Sequence, residues 1–437
     1  MGGGSSRPPA WEAPGPSSGD PDLRRKLVWV ALLYFAEGFP FGLVYEMFPV
    51  YFRTAGVSLR EIGLLSLLGL PWTLKVLWSP LVDRFGRRQT WIVSALVVMA
   101  AILLLMPLFP LRTVPQESTS PAASALPVPS TAPGTPATSA AAAASAGLPL
   151  ALTLLLIAFT ASSATQDIAV DAYTIGLMNP GQEGPANSVR VSAYRAALIV
   201  GGGGLVMLSG VLTWPLVFVG AAAILLLLAV AAWRSPQVQA PGPARRATWR
   251  PLLQWARRPG WWAVFPFILL FKLGDSSMGP MVKPFWVDRG LSAAEIGLIS
   301  TSFGVVATVA GAMVGGAWVA RLGIFRGLWL LGLFQAVSNL GYATVAALDL
   351  SRGYVYGASI IESFTGGMGT AAFLSFLMRI CQKEHAAVQY ALLSALFGFT
   401  RSVAGGVSGY ATERLGYASY FAWTFVLSFP AYALLPW

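Results

Sequence analysis

FRTAGVSLREIGLLS, residues 52–66, lines up without a gap against WVDRGLSAAEIGLIS, residues 286–300. Gly56, Ser58, Glu61, Ile62, Gly63, Leu64 and Ser66 recur as Gly290, Ser292, Glu295, Ile296, Gly297, Leu298 and Ser300, seven identities in fifteen positions. Further on, Val82-Asp-Arg-Phe-Gly86 is echoed by Val319-Ala-Arg-Leu-Gly323 after a three-residue shift. Self-similarity over such a distance predicts a chain built twice, so what is duplicated decides the fold.

The surroundings of both copies say what that unit is. Of 437 residues, 55% are hydrophobic, 11% are charged and 16 are Trp, and the mean hydropathy is positive. Lipid must solvate most of such a chain. Windows of about 20 residues, the length that crosses the hydrocarbon core, give twelve predicted spans: 27–50, 58–81, 89–110, 148–178, 189–211, 213–233, 261–286, 292–320, 328–348, 353–380, 388–411 and 417–437. The reading is an all-α integral membrane protein with two pseudo-symmetric six-helix bundles, residues 27–233 and 261–437.

Three polar interruptions complete the organisation. Residues 1–26 are rich in Gly, Pro and Ser and end in Arg24, Arg25 and Lys26, a disordered cytoplasmic tail rather than a signal peptide. Residues 111–147, with PVPSTAPGTPATSAAAAASAG, form a flexible non-cytoplasmic loop. Residues 234–260 are a basic cytoplasmic linker whose WRPLLQWARR portion suits an amphipathic helix on the membrane face.

Charge asymmetry sets the orientation. With the N-terminus in the cytoplasm, 18 of the 29 Lys and Arg fall on the cytoplasmic side, 6 outside and 5 within spans. That is the positive-inside pattern; it places both termini in the cytoplasm and accounts for the net charge of +11 without nucleic acid. Cys381 and His385 are each unique, so no disulfide, zinc site or Cys–His pair can be assembled within one chain. No nucleophile–base set is visible, and no metal or cofactor is expected. The glycine run 201–204 is not followed by Lys-Ser/Thr and lies within a span, which argues against ATP-driven transport. Gly311 and Gly315, like Gly405 and Gly409, have the G-x-x-x-G spacing of close helix contact.

Ionisable residues inside spans are costly and are functional candidates. Here they are Glu37, Glu46, Lys75, Asp167, Asp171, Arg195, Lys272, Asp275, Lys283, Glu362 and Arg401; Glu46 and Lys283, near span ends, each suit a structural ion pair or snorkelling to the interface. In TQDIAVDAY, residues 165–173, Asp167 and Asp171 share a face with Ser163, and more loosely with Thr160 and Thr174, so this stripe faces the bundle interior. Counting from Asn179, Asp171 lies roughly 12 Å deep and Asp167 roughly 18 Å. Hairpin symmetry puts Asp171 level with Arg195, and Lys75 is also roughly 12 Å deep, which predicts a cluster of Asp171, Arg195 and Lys75. Lys272 and Asp275, three apart, can neutralise each other. They precede SSMGPMVKP, a stretch expected to break its helix beside a binding cavity.

The residues now in hand resemble a known family. Parallel halves of six spans are the plan of the major facilitator superfamily. SPLVDRFGRR, residues 79–88, is similar to the superfamily's loop between the second and third spans, with Ser79 where Gly is usual and Ala320 replacing the Asp in the second copy. LLYFAEGFPFGL (32–43), the SL-x-G and LWSPLVD pieces within 62–83, ATQDIAVDAY (164–173) and SAYR (192–195) resemble the AmpG-like branch, which holds bacterial muropeptide permeases and acetyl-CoA transporters.

That resemblance implies a proton-coupled secondary transporter working by alternating access in the bacterial inner membrane, importing anhydromuropeptides as a monomer among membrane lipids. Asp167, with Glu37 and Asp275 behind it, is the expected proton carrier. Gln166, Lys75, Arg195, Lys272, Glu362 and Arg401 are expected to receive an amphiphilic or anionic small molecule. Asp83, Arg84, Arg87, Arg88 and Asp171 are expected to latch the cytoplasmic side. Acetyl-CoA or another anionic metabolite is the alternative substrate, and a membrane sensor or lipid-handling protein without net transport is the other class.

Overall fold

The computed structural model describes residues 21–84, 87–109, 148–179, 182–238, 260–380 and 386–435, which are helical with no strand among them. Residues 1–20 of the tail, the loop 111–147, the amphipathic stretch of the linker, and Cys381 and His385 lie outside the described residues, whereas residues 21–26, expected to be disordered, are the first turns of a helix because they continue directly into its apolar run.

Helix α1 (Pro21–Gly42) runs through a π-helical turn, Leu43–Met47, into α2 (Phe48–Thr54). The next span is broken into α3 (Leu59–Leu64), α4 (Leu70–Leu74) and α5 (Ser79–Arg84), with 3₁₀ turns at Leu65–Gly69 and Lys75–Leu77 between them. Proline explains the breaks: Pro71 lacks a donor and crowds the carbonyl four residues back, in the first of these turns, and Pro80, likewise without an N–H, follows the second. There follow α6 (Arg88–Leu105), α7 (Leu150–Leu177), α8 (Glu183–Leu198), α9 (Leu205–Leu208) and α10 (Trp214–Trp233).

The second half comprises α11 (Trp261–Phe271), α12 (Leu273–Asp288), α13 (Ala293–Leu298), α14 (Gly304–Leu322), α15 (Ile324–Ala347), α16 (Arg352–Ile380) and α17 (Ala386–Leu427). The last is two rods meeting at Gly416, whose φ of 75° leaves the helical region. Eight helices among the described residues are long and apolar enough to cross a membrane. Exposed faces are apolar as well: Leu150, Leu154 and Ile157 on α7, and Leu227 and Val230 on α10, stand where lipid would solvate them.

The duplicated motif has the same local structure in both halves. Gly56 and Gly290 hold φ of 81° and 71°, the left-handed stop after a helix. Ser58 and Ser292 then accept from the backbone N–H of Glu61 and Glu295, starting α3 and α13. Each glutamate also reaches the entry of another helix of its half: Glu61 accepts from Leu148 N before α7, and Glu295 accepts from Tyr356 Oη at 2.6 Å near the start of α16. The motif is therefore a helix stop, a restart and a tie within its own half.

The halves meet on one side of the molecule. Arg53 forks onto both Asp288 oxygens at 2.6 and 2.7 Å, and Tyr417 Oη donates to the same carboxylate at 2.7 Å. Glu413 accepts from Arg60 N at 2.9 Å, and Lys283 pairs with Glu46 at 2.9 Å. Gly409 sits against the Leu59 backbone and Gly63, so a methyl group at Gly409 would meet Leu59 and Arg60 main chain. Contacts between halves come from α2, α3, α4, α9 and the π turn Ile199–Gly204 on one part, and from α12, α13, α17 and the π turn Ile299–Phe303 on the other. Helices α5, α6, α7, α8 and α10 make no such contact of comparable extent among the described residues. Among the described residues the halves are thus joined toward the Thr54 end of the first span.

Candidate functional site

The inner stripe of the first span carries Tyr34, Glu37 and Phe41 on α1 and Tyr45 in the π turn that follows, spaced 3, 4 and 4 residues apart. Opposite it, α7 buries Thr160, Ser163, Asp167 and Thr174 of the expected interior stripe, with Asp171 half-buried and Gln166 buried beside them. Carboxyl oxygens of Glu37, Asp167 and Asp171 all lie within 4.8 Å of one another. Such a set repels itself unless cations or a proton offset it.

Two cations do so. Lys75, at the start of the 3₁₀ turn Lys75–Leu77, pairs with Asp167. Arg190 on α8 pairs with Asp171 at 3.2 Å and lies over the Tyr34 ring at 4.6 Å, while Tyr34 Oη donates to Asp171 Oδ1 at 2.7 Å. Glu37, 8% exposed like Asp167, has no cation within ion-pair distance among the described residues, and its Oε2 has no hydrogen-bond partner. The three carboxylates are close enough to ligate a small cation, but Lys75 and Arg190 already stand there.

The expected cluster of Asp171, Arg195 and Lys75 is therefore corrected. Arg195 is exposed and Arg190 takes its place. Residues five apart point about 140° away from each other around a helix, so only one can face α7, and depth alone did not say which. Lys75 reaches the deeper aspartate because its long side chain extends about a turn beyond its backbone level. Gln166 is fully enclosed with both amide atoms unpartnered, so it lines no open cavity in this conformation.

In the second half Lys272 is 2% exposed; Nζ donates to Gln335 Oε1 at 2.8 Å and pairs with Asp275 at 3.5 Å, the neutralisation its spacing predicts. The helix break falls at Lys272 (φ −103°, ψ 14°) and not within SSMGPMVKP, whose Pro280 and Pro284 stay inside α12. Glu362 on α16 accepts from Ser363 Oγ at 3.5 Å. Arg401 on α17 crosses to the first half and stacks over Tyr45, 4.1 Å from its ring centre.

Of the expected latch, the side chains of Asp83 and Arg84 lie outside the described residues. Arg87 is exposed, and Arg88 donates to Ala172 O at 2.8 Å, within its own half. Sequence reasoning missed Tyr34, Arg190 and Gln335. Tyr34, three residues before Glu37, carried a helical-spacing signal; Arg190 was counted among loop cations, and nothing local marks Gln335 as a lysine's partner.

Comparison with known proteins fits this geometry. A family model described as acetyl-coenzyme A transporter 1 matches residues 26–191. The anhydromuropeptide permease of Escherichia coli (strain K12) is 30% identical over 420 residues, spanning 92% of this chain and 78% of that protein. Putative transporter AmpG 4 of Rickettsia conorii is 24% identical over 440 residues, 94% of this chain and 95% of that one. In fold, the chain is similar to a bacterial homolog of the human lysosomal transporter Spinster in an inward-facing, unoccupied conformation, with a TM-score of 0.72 at 13% identity over 95% of this chain and 96% of that chain. It is also similar to the nucleoside transporter NupG, with a TM-score of 0.70 at 14% identity over 94% and 99%.

Proposed function

Because the chain belongs to the AmpG-like family of the major facilitator superfamily, a family of membrane transporters rather than enzymes, we propose that it is a proton-coupled importer of peptidoglycan fragments working by alternating access. It is a multi-pass membrane protein that handles a small molecule. In our reading the Pro21 end faces the cytoplasm of a bacterial inner membrane, both termini lie there, and the cleft between the bundles 27–233 and 261–437 opens inward.

The observation that carries proton coupling is the charge count around α1. Three carboxylates share a space with two cations, so one proton makes the set neutral, and Glu37 is the member without a counter-ion. Lys75 and Arg190 come from other helices than the acids they neutralise, so a rocking motion changes those pairings and with them the hold on the proton. Glu37 thus stands ahead of Asp167 as the carrier, with Asp275 in the second half behind them. Anhydromuropeptide is favoured as substrate because the permease relative aligns across both halves. Acetyl-CoA is the second reading, favoured by the family match over residues 26–191.

The test is uptake into proteoliposomes with an imposed pH gradient. Glu37→Gln and Asp167→Asn are expected to abolish gradient-driven accumulation of anhydromuropeptide while sparing counterflow exchange. Undiminished accumulation in both variants removes the carboxyl set from coupling. Wild-type accumulation of acetyl-CoA and not of anhydromuropeptide reverses the substrate order.

A further inference from the structure

Interior cations of this protein are paired with carboxylates: Lys75 with Asp167, Arg190 with Asp171, Lys272 with Asp275 and Lys283 with Glu46. Arg401 differs. It is half-buried between the halves, and no carboxylate lies within ion-pair distance of it among the described residues. An uncompensated guanidinium inside a bundle is costly, and proteins tolerate that cost where a ligand repays it.

What surrounds Arg401 defines the ligand. Its guanidinium stacks over Tyr45 at 4.1 Å and lies 5.7 Å from the centre of Phe41. Phe41 in turn touches Tyr45 at 4.3 Å, Trp72 edge-on at 5.2 Å and Tyr194 at 6.1 Å. These rings come from three helices and are each partly exposed. Gly38 makes the shelf: a methyl group there would stand 2.9 Å from Tyr194 O and 3.1 Å from its ring, so only glycine lets Tyr194 close against α1. With its central carbon over the ring, and no hydrogen bond from its N–H groups among the described residues, the guanidinium has its fork available to grip a carboxylate or phosphate through two parallel bonds. Beside it, aromatic faces suit the flat C–H face of a sugar or the plane of a purine. Phe41 follows Glu37 by four residues, so the shelf is roughly 6 Å along the axis from the carboxyl set.

We propose that Arg401, with Phe41, Tyr45, Trp72 and Tyr194, is the subsite that receives an anionic group attached to a flat-faced ring of the transported solute. This rests on the transporter reading above. The shared chemistry is a ring bearing an anion, and it has two sources, a carboxylated saccharide or an adenine nucleotide.

The test is equilibrium binding to the full chain in nanodiscs. One pair of probes is the disaccharide of N-acetylglucosamine and anhydro-N-acetylmuramic acid, with its lactyl carboxylate, and the methyl ester of the same sugar; acetyl-CoA is the second arm. Wild type is expected to prefer the acid over the ester by about tenfold, the worth of a charge-assisted hydrogen bond. Arg401→Gln is expected to erase that preference, Arg401→Lys to keep part of it, and Trp72→Ala to weaken acid and ester equally. An unchanged preference in Arg401→Gln overturns the subsite and leaves the transporter reading intact. If Arg401→Gln does not fold, Arg401→Lys decides, since full wild-type preference without the fork overturns the proposal. If wild type binds only acetyl-CoA and Arg401→Gln loses it, the subsite stands and the muropeptide reading falls.

Discussion

The two halves repeat one motif yet neutralise their interior charges in opposite ways. In the first half, three carboxylates from α1 and α7 meet two cations from elsewhere, Lys75 after α4 and Arg190 on α8, so every ion pair joins separate helices. In the second half, Lys272 and Asp275 are three residues apart on one stretch of chain, and Gln335 fixes the lysine further. A pair between helices breaks when the helices move, whereas a local pair travels with its backbone. On the proposed reading, the first half exchanges a proton during rocking and the second, which also supplies Arg401, holds an anion.

The comparison can be broken most directly at Lys75. Lys75→Gln leaves the acids with Arg190 alone and is expected to lower stability by about 3–5 kcal/mol, the cost of orphaning a buried charge. Thermal unfolding in detergent measures it, and adding Asp167→Asn should restore stability but not gradient-driven uptake. Lys272→Met is expected to cost less, about 1–3 kcal/mol, by leaving the Gln335 acceptor and the partly exposed Asp275 carboxylate without their partner. Gln335→Leu in the same chain should recover the part of that loss due to the orphaned amide, which a double-mutant cycle reads.

Further out, Arg53→Ala removes the fork onto Asp288 that joins the halves. The pair is about a quarter exposed, so the expected effect is about 1 kcal/mol, roughly a fivefold shift toward states open on the Thr54 side. Labelling of single cysteines facing that side would register the shift. The smallest effect is expected at Arg195: exposed and outside the carboxyl set, Arg195→Gln should change stability by no more than about 0.5 kcal/mol and leave uptake near wild type. A large uptake loss there would return Arg195 to the substrate site.

Much of this organisation was legible beforehand. Hydropathy gave the membrane class, and Gly56/Gly290, Ser58/Ser292 and Glu61/Glu295 marked a duplicated unit; that the unit is a left-handed stop followed by an N-cap was seen only in the backbone. The polar stripe of α7 followed from helical spacing alone. Partners were less readable, because pairing depends on the facing direction of two helices and on how far a long side chain reaches. Depth counting chose Arg195 for Asp171, and geometry chose Arg190; Glu46 and Lys283 were each recognised as ion-pair material, without a hint that they pair with each other.

By itself, then, the sequence determined what must be buried, where helices stop and restart, and that carboxylates and cations enter the bundle, since these depend on side-chain chemistry and on neighbours a few residues away. Only the tertiary structure decided which charges neutralise one another, which leaves Glu37 without a cation and Arg401 without an anion among the described residues. Those assignments are set by contacts between residues as far apart as 45 and 401, where rotation about each helix axis and the closing of one half on the other fix the distances.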